Sequence, residues 1–170
     1  MTPNHLIQFV RSRALARFLR YVSVDTGADP DAEGHPSSAG QLELGALLAE
    51  ECRQLGLQAV EHDAYGYVYA TLPARRSRSP LAVTFCAHLD TSPSVSGAHV
   101  QPVVHRHYDG GAIRFRQAPE LALTPEESPE LLKCIGDDIV TASGQTLLGA
   151  DDKAGLAAIM TALQALREFP

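Results

Sequence analysis

Two short clusters in this chain carry side chains able to grip a cation: His88-Leu89-Asp90-Thr91-Ser92-Pro93 and Leu147-Leu148-Gly149-Ala150-Asp151-Asp152-Lys153-Ala154-Gly155. An imidazole can offer one ring nitrogen to a metal. A carboxylate two residues further along an extended chain falls on the same side, where it can hold the other ring nitrogen and fix tautomer and basicity. The paired aspartates stand where a helical period begins, and backbone amides at a helix N-terminus keep a carboxylate ionised at neutral pH. An ionised aspartate has two oxygens and can bridge two cations. Gly149 and Gly155 lack a Cβ and so permit close approach of chain and helix. Each cluster alone also admits a plainer account: a core-edge histidine held by its aspartate, and an N-cap in which Asp151 or Asp152 closes the helix.

The elements that must position these groups can be read from periodicity. Residues 81–87, Leu-Ala-Val-Thr-Phe-Cys-Ala, form a continuous apolar run that ends at His88. It predicts a strand buried on both faces, and ligands of open α/β sheets bind beyond the carboxyl ends of the strands. Residues 139–141 read as a short strand and Ser143-Gly144 as a turn. Leu156, Ile159, Met160, Leu163 and Leu166 then repeat at helical spacing over residues 153–169.

Upstream, Leu15, Phe18, Leu19 and Val22, with arginines between them, predict an amphipathic surface helix over 6–22, followed by a loop over 25–35. Ser38-Ala39-Gly40-Gln41 has capping-box spacing. The helix it opens would bury Leu44, Leu47, Leu48, Cys52 and Leu55 and stop near Gly56. Strands are expected over 57–60 and 65–71, the tyrosines of the latter forming a packed sheet face. Residues 100–104 and 112–115 are further candidate strands, and 121–129 an insertion without period. The order of elements argues for an α/β layer architecture.

Composition narrows the function. At 170 residues the chain suits one ordinary domain, and its 45% hydrophobic content is globular. A net charge of -6 disfavours a nucleic-acid partner, because binding polyanions needs clustered cations. The one basic run, Arg75-Arg76-Ser77-Arg78, is short and reads as a solvated loop. Cys52, Cys86 and Cys134 have neither disulfide nor thiolate-zinc spacing, and Cys52 reads as core. No run has signal-peptide or membrane-spanning character, so a cytoplasmic protein without a membrane partner is expected. His99, His105 and His107 lie in polar surroundings without converging carboxylates, and Glu126-Glu127 lies in a proline-bounded loop; neither reads as a site.

Together the two clusters closely resemble the two N-terminal signatures of the peptidase T family, tripeptide aminopeptidases among the co-catalytic di-zinc metallopeptidases. Supporting similarity runs through Arg17-Phe18-Leu19-Arg20-Tyr21-Val22-Ser23, Pro36-Ser37-Ser38 with Gly40-Gln41, and Met160-Thr161-Ala162-Leu163. The resemblance implies a three-layer zinc-peptidase-like α/β catalytic domain, of which residues 1–170 would be the N-terminal portion. It implies two Zn2+ ions per complete site, with His88 as ligand to one, Asp151 as the bridge between both, and Asp90 as the catalytic-site carboxylate that orients His88. The peptide bond after the bridging aspartate is typically cis in the family. The substrate would be a tripeptide that loses its N-terminal residue, and the full-length protein a homodimer. A glutamate pair, a further aspartate, a dimerisation domain and a late histidine of the family have no counterpart here. The chain is therefore expected to be an N-terminal part, inactive alone and weak in binding zinc. Two alternatives share these patterns: a related di-zinc dipeptidase or deacylase, and a metal-free α/β binding module with the aspartates as a helix cap.

Overall fold

The computed structural model describes residues 3–74 and 81–169; the basic run Arg75-Arg76-Ser77-Arg78 lies outside the described residues. Three helices supply the main core: α1 (Pro3–Val22), α2 (Ala39–Gln54) and α3 (Ala150–Glu168). Leu44, Leu48 and Cys52, at i, i+4 and i+8 on α2, meet Tyr21 from the end of α1, Val24 just beyond it, and Leu156, Ala157 and Met160 from α3. Cys52 is buried with its Sγ 3.8 Å from Met160 Sδ. Burial and then the neighbouring Glu51 charge push its thiol up, so the thiolate a nucleophile needs is disfavoured.

Periodicity located α1 but missed part of its buried face. Arg17 and Tyr21 are buried beside Glu51 of α2. Arg17 donates from Nε to Glu51 Oε1 and from Nη1 to Thr161 Oγ1 of α3 at 3.1 Å, Arg20 pairs with the other Glu51 oxygen, and Tyr21 donates to that same oxygen at 2.6 Å. A carboxylate can be buried here because its oxygens are occupied by cationic and phenolic donors. Burial, reinforced by the Glu51 carboxylate, holds the Tyr21 hydroxyl far above its ordinary pKa. The three helices are thus tied by a polar network as well as by apolar contact.

The expected start of α2 is confirmed, but its capping box is not. Ser38 makes no capping bond and its Oγ has no hydrogen-bond partner among the described residues. Gln41 reaches Ser37 Oγ (3.1 Å) and Thr26 O (3.5 Å) instead. The cause is the chain that crosses the helix start: a Cβ on Gly40 would stand 1.7 Å from Asp25 O. Past the C-terminal end of α2, Gly56 takes the left-handed conformation (φ +70) expected of it.

The described strands form three separate antiparallel pairs. β1 (Gln58–His62) pairs with β2 (Val68–Thr71), β3 (Val103–His105) with β6 (Ile139–Thr141), and β4 (Ile113–Phe115) with β5 (Ala118–Leu123). The last two pairs, with a 3-10 turn over Pro129–Cys134, enclose a smaller core of Tyr108, Ile113 and Leu131. β5 takes in residues 121–123 of the segment expected to be a plain insertion. Tyr65, Tyr67 and Tyr69 do not form a packed sheet face: all three are exposed, and Tyr67 and Tyr69 stack on one another beside His35.

The architecture is mixed α/β with small sheets. The strand expected over 81–87 is the main correction. That run joins none of the six strands, and Leu81, Val83 and Phe85 are 83%, 78% and 68% exposed. An apolar run is a buried strand only where neighbours complete its ladder and cover its faces. Every described strand has its ladder partner elsewhere. At the end of the run Ala87, and beyond it Leu89, pack against the main core on either side of His88.

Candidate metal-binding site

Leu89 and Ala87 face the core, so His88 between them is turned outward, as alternation along an extended chain requires. Its ring is held at Nδ1 by Asp90, whose carbonyl lies at 2.9 Å and whose carboxylate Oδ1 lies at 3.3 Å. Asp90 thus lies against this nitrogen, with the backbone oxygen, and not the carboxylate that the sequence pointed to, as the nearer partner. The opposite nitrogen, Nε2, stands 3.0 Å from Asp151 Oδ1, across 63 residues of sequence.

Asp151 and Asp152 diverge sharply. The peptide bond between them is cis, as the family resemblance implied, and Asp151 (φ -92, ψ 103) is not helical although α3 is counted from Ala150. Asp152 Oδ1 accepts the Gly155 amide at 3.0 Å and so closes the helix, the role of an N-cap. Gly155 must be glycine for this: a Cβ there would lie 2.1 Å from that oxygen. Asp151 is left with its side chain 95% exposed and directed at the imidazole.

Three segments are brought together beneath this pair. Thr91 N donates to Thr26 O (3.1 Å) and Ala28 N to Thr91 O (2.9 Å), a parallel bridge between residues 26–28 and the His88 segment. Lys153, buried in the first turn of α3, donates from Nζ to Val24 O at 2.7 Å. Leu147 N donates to Ser96 O at 2.9 Å. Gly149 (φ +75) lies against Thr91, where a Cβ would meet Thr91 Cγ2 at 3.1 Å. That Lys153 is buried was not legible in the sequence, where a lysine after two aspartates reads as surface. Burial pulls the Lys153 ammonium below its ordinary pKa, partly offset by the Asp25 charge.

The electrostatics of His88 follow from the same contacts. Partial burial works against the charged imidazole, but the Asp151 hydrogen bond, the Asp90 carbonyl and the two carboxylate charges outweigh it, and the net shift is upward. With Nδ1 donating to Asp90, a neutral ring points a bare lone pair at a carboxylate. That pairing is favourable only when a cation, either the Nε2 proton or a metal ion, lies between them. Two donors each ~2.0–2.1 Å from one tetrahedral zinc stand roughly 3.3 Å apart, close to the 3.0 Å observed here. The pair therefore fits as two donors to one ion. Among the described residues no group of three or more His, Cys, Asp or Glu side chains is arranged to hold a metal by itself. His105 is engaged by Thr141 Oγ1 at 3.0 Å, away from this pair in the β3–β6 sheet.

Beside the His88 segment opens a cleft of about 330 Å3, lined by Asp25, Ser38, Gly40, Ser92, Pro93 and Ser96 among others. It lies between the crossing loop, the start of α2 and the residues that follow Asp90. No described helix is long and apolar enough to cross a membrane.

No family model matches the chain. Individual proteins do. The chain is 43% identical over 161 residues to peptidase T of Geobacillus thermodenitrificans strain NG80-2, and 44% identical over the same length to peptidase T of Bacillus anthracis and of Bacillus cereus strain Q1. In each case the match covers 95% of this chain and 39% of the relative. The chain thus spans about two fifths of the length of the curated relatives it matches, and the resemblance read from its two clusters extends along nearly all of it.

Proposed function

We propose that this homologue of peptidase T is a component of a metallo-aminopeptidase that releases the N-terminal residue of a tripeptide at two zinc ions. The observation that carries the reading is the approach of His88 Nε2 to Asp151 Oδ1, two metal-competent groups joined only by the fold. In this reading residues 1–170 form the N-terminal part of a three-layer catalytic domain, in a cytoplasmic protein.

Each residue has a definite task. Asp90 holds Nδ1 and so keeps the ring in the tautomer that presents Nε2. His88 supplies that nitrogen to one ion. Asp151 directs one carboxylate oxygen to the same place and has a second that His88 does not engage, which suits it to bridging. Asp152, occupied by the Gly155 amide, caps α3 and takes no part as a ligand. Zinc, when bound, supplies a lowered pKa for water and polarisation of the scissile carbonyl. The cleft beside Ser92 and Pro93 is where a short peptide chain would lie.

In this reading the 170-residue chain by itself is expected not to hydrolyse tripeptides. The test is a chimera in which this chain replaces the matching segment of the Geobacillus peptidase T. Tripeptide hydrolysis by the chimera, lost in its His88→Ala and Asp151→Ala forms, is the expected result. A chimera that folds and cleaves only dipeptides or acylated amino acids would overturn the tripeptide assignment in favour of the related deacylases.

A further inference from the structure

The segment that follows α1 touches both halves of the candidate site without belonging to either. Val24 O accepts the Lys153 ammonium of α3 at 2.7 Å. Two residues on, Thr26 O accepts the Thr91 amide, and Ala28 N returns a bond to Thr91 O. Thr91 is three residues from His88, and Lys153 two from Asp151. Val24, Thr26, Thr91 and Lys153 are all buried. Gly149 closes the arrangement from the other side, against both the Thr91 methyl and the Lys153 side chain.

We infer that Lys153 is a positioning residue: by gripping the Val24 carbonyl it locks α3 to residues 24–28, and through their bridge to Thr91 it sets the His88–Asp151 separation. The physical reason lies in the exposure of the pair itself. The His88 side chain is about half exposed and that of Asp151 almost wholly so, and neither is buried by packing around the pair. Their alignment must come from what their segments are fixed to. Backbone bonds fix the His88 side to 26–28, but the α3 side has no backbone bond to that segment among those described. The Lys153 ammonium supplies it. A charged donor on a carbonyl is stronger than a neutral one, and burial makes the alternative, an unpaired ammonium, costly. Gripping from within the first turn of α3, it controls the height of Asp151 directly.

The inference deepens the metallopeptidase reading, but its first measurement does not depend on it. In the metal-free 170-residue chain, ring-nitrogen NMR shifts of His88 report whether Nε2 is engaged by Asp151. Lys153→Met keeps the aliphatic stem and removes the donor. It is expected to move the His88 Nε2 shift toward that of an unengaged imidazole and to weaken cobalt(II) binding about 10- to 100-fold. Met160→Ala, two turns on in the same helix with its sulfur 3.8 Å from Cys52 Sγ, serves as the control that lowers stability away from the grip; it should leave both readouts unchanged. Should Lys153→Met not fold, Gly149→Ala is read instead, because it forces a methyl against Thr91 and should move the ring shift the same way. Unchanged ring shifts in Lys153→Met, or equal changes in Met160→Ala, would overturn the inference. A ring shift that moves in a chain that binds no cobalt at all would sustain it while removing the metal reading.

Discussion

Asp151 and Asp152 are neighbours that face different partners: Asp152 Oδ1 accepts the amide of Gly155 at 3.0 Å, while Asp151 Oδ1 lies 3.0 Å from His88 Nε2. One carboxylate is spent on the helix and the other is left for chemistry. Asp152→Ala should therefore cost about 1 kcal/mol of stability, the usual worth of an N-cap, visible as a lower Tm, and should leave the His88 ring shifts in place. Asp151→Ala should do the reverse. Equal effects of the two substitutions on either readout would show that the roles are not divided.

The contacts of His88 set a pH dependence. Its folded-state pKa lies above the ordinary imidazole value of 6.5. The protonated ring's bond to Asp151 thus contributes stability that is complete below that ordinary value and is lost as pH rises through the raised one. Metal uptake has the opposite sign, because an ion must displace the Nε2 proton, so it should strengthen over the same rise. An NMR titration of His88 should give a midpoint above that of an exposed histidine and fall in Asp151→Asn. A midpoint unmoved by that substitution would contradict the contact.

Glu51 holds two arginines and a buried tyrosine. Removing it in Glu51→Ala strands the buried Arg17 charge, and breaking a buried pair in this way costs about 3–5 kcal/mol. Urea unfolding should show this loss, whereas Arg53→Ala, an exposed partner of Glu50 in the last turn of α2, should change stability by no more than about 1 kcal/mol. The two measured side by side separate the buried network from surface charge.

Gly40 is the point where α2 and the crossing loop meet, with room for no methyl: the added Cβ would stand 1.7 Å from Asp25 O. Gly40→Ala should destabilise by about 1–3 kcal/mol through overpacking. Because the loop it displaces carries residues 24–28, it should also disturb the His88 ring shifts. A variant as stable as the parent would mean the crossing is not held as described.

The sequence made some of this legible and hid the rest for physical reasons. Period-3.6 patterns located the three described α-helices, and the paired aspartates beside glycine marked the start of α3, while the choice of Asp151 over Asp152 came from the family resemblance and not from the local pattern. His88 was found at the end of an apolar run, though that run is exposed and joins no described strand, since strand pairing is decided by neighbours that no local pattern encodes. The buried Arg17, Glu51 and Lys153 escaped notice because a charged residue reads as surface until its partner, 34 or 129 residues away in the bonds concerned, is brought to it by the fold. The failed Ser38 cap is of the same kind: the crossing of Asp25 over Gly40 is a tertiary fact.

Whether His88 and Asp151 grip one cation between them is decided by cobalt(II) titration of the purified chain, followed by visible absorption and competition with a chelator. Weak but saturable binding is expected, vanishing in His88→Ala and in Asp151→Ala and persisting in Asp152→Asn. Binding that survives both alanine substitutions, or a parent chain that takes up no metal at any pH at which it is folded, would contradict it.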